Sequence, residues 1–182
     1  LYYGSRCGKY DIKRKKKGKG IPRLFKEREK MLINEAYPKN KPDNPNGKKV
    51  GLPRVSLFFE YCPFFKAFLT ECGFEVVLSD ATNRQTITRG LDTIQAEFCF
   101  PIKVAHGHVM NLLEKGVDYV FLPCVVNTPP LVEGMERSYN CVYVQALPYI
   151  LRSAIDFAKY GAKPLIPVLH LCLLYTSPSP RD

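Results

Sequence analysis

From Lys49 onward, short apolar runs alternate with longer stretches of helical character, and glycines close most of the latter. Lys49-Val50-Gly51-Leu52 runs into Pro53, Phe58 to Glu71 is an apolar-rich helix closed by Gly73, and Phe74 to Leu78 is a β-branched strand. Helical signals return from Arg84 to Leu91 and from Pro101 to Lys115, the second with proline in its first turn and Gly116 after its end. Asp118 to Leu122 is the next strand. After a long loop, Val142 to Val144 reads as another, succeeded by a helix from Pro148 to Tyr160 stopped by Gly161 and a last apolar run, Leu165 to Leu169. Such alternation calls for crossover connections, which make neighbouring strands parallel and put helices on the sheet's faces. The expected fold over residues 48–171 is therefore α/β: a mostly parallel sheet flanked by helices, three-layered in the Rossmann or flavodoxin-like manner.

Residues 1–47 form a basic, partly irregular leader. Apolar positions 24, 25, 31, 32 and 33 among charges predict a short amphipathic helix over Leu24 to Tyr37. Pro38, Pro42 and Pro45 with Asn40, Asn44, Asn46 and Gly47 forbid its continuation and form a linker. The net charge of +10 is concentrated here, with 16 Lys and Arg against 5 Asp and Glu before Val50 and 11 against 12 after Lys49. The run Lys13-Arg14-Lys15-Lys16-Lys17-Gly18-Lys19 reads as a solvated linker rather than a nucleic-acid surface, because no aromatic for base stacking stands between Asp11 and Leu24. Attraction to a CoA phosphate stays open. No apolar run approaches the roughly 18 residues of a membrane span. Cys172 to Asp182 matches the translation of a transposase-type sequencing adaptor, and the chain opens at Leu1 without methionine, so it is expected to be a fragment.

The remaining cysteines, at 7, 62, 72, 99, 124 and 141, are too dispersed for a small disulfide scaffold and suit a cytoplasmic chain. Cys62 and Cys72 accompany the aromatic-rich helix and read as core; Cys7, on a glycine-flanked loop, is a possible ligand whose partners lie elsewhere. Cys99, Cys124 and Cys141 fall next to strand ends and helix starts, where open α/β sheets gather ligands. Spacing alone leaves two readings, small buried apolar residues or thiolates converging on a four-iron cluster with one iron open. His106 and His108, two apart on one helix, point about 200° away from each other and do not make a two-histidine metal site. Each is either a general acid or cluster hydrogen-bond donor, tuned by Glu97 as the nearest carboxylate, or a structural residue. No P-loop, G-x-G-x-x-G or Ser-His-Asp set is present.

Taken in order, the phrases Val50-Gly51-Leu52-Pro53-Arg54-Val55, Phe59-Glu60-Tyr61-Cys62-Pro63-Phe64-Phe65, Glu71-Cys72-Gly73-Phe74-Glu75-Val76-Val77-Leu78-Ser79, Cys99-Phe100-Pro101-Ile102-Lys103-Val104-Ala105-His106-Gly107-His108, Gly116-Val117-Asp118-Tyr119-Val120-Phe121-Leu122-Pro123-Cys124 and Ser138-Tyr139-Asn140-Cys141 resemble the activase-related proteins of the 2-hydroxyacyl-CoA dehydratase system of anaerobes. The resemblance implies a 4Fe-4S protein that takes an electron from an ATP-dependent activator and acts toward an acyl-CoA substrate. Carried over residue by residue, the cluster ligands would be Cys99, Cys124 and Cys141, with catalytic roles for His106, His108 and Glu97. The pattern departs at Val142, where similar proteins tend to have proline, and at Asn127. The alternative in the same architecture is a non-catalytic scaffold or regulatory domain.

Overall fold

The computed structural model of the chain describes residues 22–35, 42, 45–130, 132 and 138–172. Cys7 and the basic run Lys13 to Lys19 lie outside them. In chain order the elements are α1 (Leu24–Lys30), running into a π-helical turn (Met31–Glu35), β1 (Lys49–Leu52), α2 (Phe58–Glu71), β2 (Glu75–Leu78), α3 (Arg84–Thr93), α4 (Phe100–Glu114), β3 (Tyr119–Phe121), β4 (Cys124–Asn127), α5 (Val142–Ala154), a 3-10 turn (Ala158–Tyr160), β5 (Lys163–Leu165) and β6 (Val168–His170). The main sheet has the order β2-β1-β3-β5, parallel throughout, with Val50 opposite both Val76 and Tyr119.

Alternate residues of these strands enter two different cores. Val50, Leu52, Val76 and Phe121 pack with Phe58, Cys62, Phe65 and Leu69 of α2. Val120 and Leu122 pack instead with Ile102, Ala105, Val109 and Leu112 of α4 and Leu147 and Leu151 of α5. The period of two thus gives each face its own helical layer, and the expected α/β arrangement of a parallel sheet flanked by helices is what the chain adopts. Gly51 lies on the α4 side. A Cβ there would come within 3.1 Å of the Leu112 side chain, a tight contact that a larger residue could make only if Leu112 gave way by a few tenths of an ångström.

Local chemistry sets the helix ends. The α2 helix stops in a Schellman motif: Phe74 N–H donates to Leu69 O at 3.1 Å and Gly73 N–H to Thr70 O at 2.9 Å, with Gly73 at φ +88°. Pro63 inside α2 has no N–H to offer the carbonyl of Phe59, four residues back, and Arg28 Nη2 of α1 supplies that bond at 3.2 Å. The Asn83 side chain caps α3 by accepting from Thr86 N–H at 3.0 Å. α3 and α4 then lie against each other at a glycine pair. A Cβ on Gly107 would stand 1.8 Å from Thr86 O, and one on Gly90 2.3 Å from Lys103 O.

Three expectations need correction. Val142 to Val144 is not a strand but the first turn of α5, which starts directly after Cys141 and carries Pro148 in its interior. Three β-branched and aromatic residues are too few to fix a strand, and the bonds from Val144 and Gln145 N–H to Cys141 O start a helix there. The helix also ends at Ala154, well short of Tyr160, with the separate 3-10 turn before Gly161. Finally, the long loop opens with a strand, β4, which pairs in parallel with β6. Pro123 and Pro167 step the chain from β3 into β4 and from β5 into β6, so the ladder continues past the carboxyl edge of the main sheet as a small second sheet.

Candidate functional site

Crossover helices that precede parallel strands start at the sheet's carboxyl edge. Two of the three rim cysteines occupy such starts: Cys99 is the N-cap of α4, which leads to β3, and Cys141 is the N-cap of α5, which leads to β5. Cys124 opens β4 just beyond the end of β3. Their loops are tied to one another. The Phe98 ring meets the Tyr143 ring edge-on, with centroids 6.1 Å apart, linking the approach to Cys99 with the turn after Cys141. Asn140 donates from its backbone N–H to Val126 O at 2.9 Å and from Nδ2 to Val125 O at 3.0 Å, fastening the Cys141 turn to β4.

Cys99 and Cys141 are exposed, whereas Cys124 is buried and its thiol pKa is pushed up by that burial. Among the described residues, no three His, Cys, Asp or Glu side chains are gathered to hold a metal ion. The rim as folded is three thiols on joined loops, two exposed and one buried. Of the other cysteines, Cys62 is fully buried in α2, its thiol pushed up to about 11 by desolvation, as a core residue should be. Cys72 is the exposed C-cap of α2 rather than part of the core.

Both histidines are completely buried, on opposite sides of the α3 crossing at Gly107. Ser79 Oγ accepts the Arg54 backbone N–H at 2.8 Å and shares a second hydrogen bond with His108 Nδ1 at 2.9 Å. His108 Nε2 shares the other with Thr82 Oγ1 at 3.0 Å, and since each hydroxyl can donate or accept, either neutral tautomer satisfies both bonds. Burial first, and the Arg54 charge second, bring the His108 pKa down to about 4. This imidazole is neutral and has both nitrogens engaged, which makes it a knot between the β1 loop, the end of β2 and α4.

His106 is different. Its Nδ1 donates to Ile102 O at 2.9 Å, one turn back along α4, and its ring lies nearly parallel to Phe98 with centroids 6.4 Å apart. Nε2 is buried and has no hydrogen-bond partner among the described residues, and burial lowers the pKa, so a bare lone pair is left on the ring that lies against Phe98. Glu97 bonds to Lys103 Nζ at 2.5 Å and not to either ring. The carboxylate whose charge bears on His108 is Asp80, itself held low by hydrogen bonds from Lys115 and Asn111. Ser79, Thr82, Asp80 and Arg54 were missing from the expected site; Arg54 stands two residues after β1 and Ser79 directly after β2, so the strand-end rule points to them.

The order β2-β1-β3-β5 reverses direction between β1 and β3, and the structure has a cleft at the carboxyl ends of those strands. Leu52, Ser56, Phe58, Phe121, Pro123 and Leu147 are among its walls, and its volume is about 40 Å³. Ser56, in the loop that enters α2, has φ +52°, a left-handed conformation that serine rarely adopts. Pro123 and Val125 also line the cleft, placing it directly beside Cys124.

Comparison with curated proteins and with solved structures gives no match in either. A family model matches over residues 49–175, which takes in β1 to β6, the cleft and all three rim cysteines, and the chain belongs to that family, the CoA enzyme activase uncharacterised domain.

Proposed function

We propose that the chain is the iron–sulfur redox module of an activase-related protein, receiving one electron from an ATP-dependent activator and serving a dehydratase-type reaction on an acyl-CoA. Cys99, Cys124 and Cys141 are the proposed ligands of a 4Fe-4S cluster. The observation that carries this reading is the joining of three separate cysteine loops at one edge of the sheet through Phe98–Tyr143 and Asn140. Two of the cysteines cap helix N-termini, positions where a bound anion is favoured by the first N–H groups. His106 is the histidine with spare capacity, since its open Nε2 can accept a hydrogen bond; His108 serves the fold. Glu97 has no assigned role beside Lys103.

Anaerobic reconstitution with iron and sulfide tests the reading. About four irons per chain and a broad visible band are expected, and replacing Cys99, Cys124 and Cys141 together by alanine should remove both. Iron retained by the triple variant refutes the assignment. The second reading is a non-catalytic scaffold or regulatory domain of the same protein, favoured by the lack of a gathered ligand set among the described residues and by the buried Cys124. It predicts a colourless reconstituted protein in which Cys124 resists alkylation until unfolding.

A further inference from the structure

Arg54 lies just past the carboxyl end of β1, in the loop that leads to α2. Its backbone N–H is fixed on Ser79 Oγ, and its side chain reaches α1, where Nη1 donates to Glu29 Oε1 at 3.0 Å. The Arg54 side chain is 19% exposed and that of Glu29 31%. The guanidinium thus lies between the β1–α2 loop and α1, and its charge bears on His108 and Cys62.

A guanidinium offers five N–H donors in a rigid fork that suits an oxyanion taken by two parallel bonds. Here Glu29 takes one of them, on Nη1, and Nε is buried with no hydrogen-bond partner among the described residues. A buried donor without an acceptor is costly, so the site is incomplete as it stands. Glu29 is also a weakly held occupant. It belongs to α1, a seven-residue helix with no buried residue.

We propose that Arg54 is an oxyanion receptor, in which a phosphate or carboxylate group binds across Nε and Nη2, the edge of the fork that Glu29 on Nη1 leaves open, and competes with Glu29 for the guanidinium charge. Binding supplies the missing acceptor for Nε and weakens the hold of Arg54 on Glu29, while α1 stays tied by Arg28 to Glu60 and the turn after it by the Lys66 bond to Ile33 O. None of the rim cysteines takes part, so this site stands independently of the cluster.

The test monitors the Arg54 Nε–H signal of the full ¹⁵N-labelled chain by NMR during separate titrations with sodium phosphate, CoA and sodium acetate at constant ionic strength. A saturable shift is expected. Saturation by phosphate and CoA but not acetate assigns a phosphate ligand, and saturation by acetate alone assigns a carboxylate. Glu29→Gln should tighten binding of the saturating ion about fivefold, the upper end for a partly exposed ion pair. Arg54→Met should abolish the heat of binding in calorimetry. The inference is overturned if none of the three ions saturates the signal, or if Glu29→Gln leaves the affinity unchanged. Glu29→Gln disturbs neither a core residue nor the Ser79 bond, so this arm decides the matter even where Arg54→Met fails to fold.

Discussion

Replacing Gly107 by alanine sets two elementary effects against each other. Helix propensity favours the change by about 1 kcal/mol, because glycine is the poorer helix former. The crossing opposes it. The new Cβ would stand 1.8 Å from Thr86 O and 3.0 Å from Gly90 N, and both are backbone atoms that no rotamer change can move. Ordinary contact begins near 3.4 Å, so α3 as a whole must retreat by about 1.6 Å. That retreat loosens the α3–α4 contact and pulls on Thr82, just before the α3 cap, whose hydroxyl bonds His108 at 3.0 Å. Overpacked cores lose about 1–3 kcal/mol, and an obstruction made of backbone belongs at the upper end, so the net destabilisation should be about 2 kcal/mol. Urea unfolding monitored by far-UV circular dichroism measures it, with a fall in Tm of roughly 8 °C as a second readout. Gly90→Ala, blocked at 2.3 Å by Lys103 O, should behave in the same way. Stability equal to or above the parent would mean that propensity wins and the close crossing is wrong.

The pH dependence of stability should carry the signature of His108. Its folded pKa of about 4 lies below the ordinary 6.5, so the unfolded chain takes up the proton first; the stabilisation is complete above pH 6.5 and is lost as pH falls from there toward 4. A shift of that size is worth about 3 kcal/mol, and His106, also lowered, acts in the same direction. Unfolding free energies at several pH values should show a weaker slope for His108→Gln; an unchanged slope would assign the effect elsewhere. Leu112→Ala removes a fully buried side chain that sits against Gly51 and should cost about 2–5 kcal/mol in the same urea assay. A loss below about 1 kcal/mol would contradict the close packing of α4 on β1.

The main sheet was legible because its signals repeat: β-branched runs, helices between them, and glycines at Gly73, Gly116 and Gly161 that adopt the left-handed backbone their positions require. The helix–strand choice at Val142 to Val144 was not, since three residues fit either period and the bonds to Cys141 O that decide it are non-repeating. β4 was hidden for a related reason: a four-residue strand beyond a proline step looks like the start of a loop until its partner, β6, is found. The opposed directions of His106 and His108 come from helix geometry alone, yet which of them keeps a free nitrogen depends on Ser79 and Thr82, residues far away in sequence.

The thiol rim shows where such reading stops. Topology fixes which loops meet at the carboxyl edge, and Phe98, Tyr143 and Asn140 bear that meeting out. The direction of each sulfur is set by finer matters, two N-cap backbones for Cys99 and Cys141 and a strand face for Cys124. An N-cap residue in extended conformation can swing its side chain without disturbing its helix, but Cys124 lies buried in a paired strand and cannot turn outward without loosening β4. Any common ligand of the three thiols must therefore be met by movement of the two exposed cysteines toward β4, and the Phe98–Tyr143 contact lies between those two loops. That contact couples the two loops, and Phe98 also lies against the His106 ring.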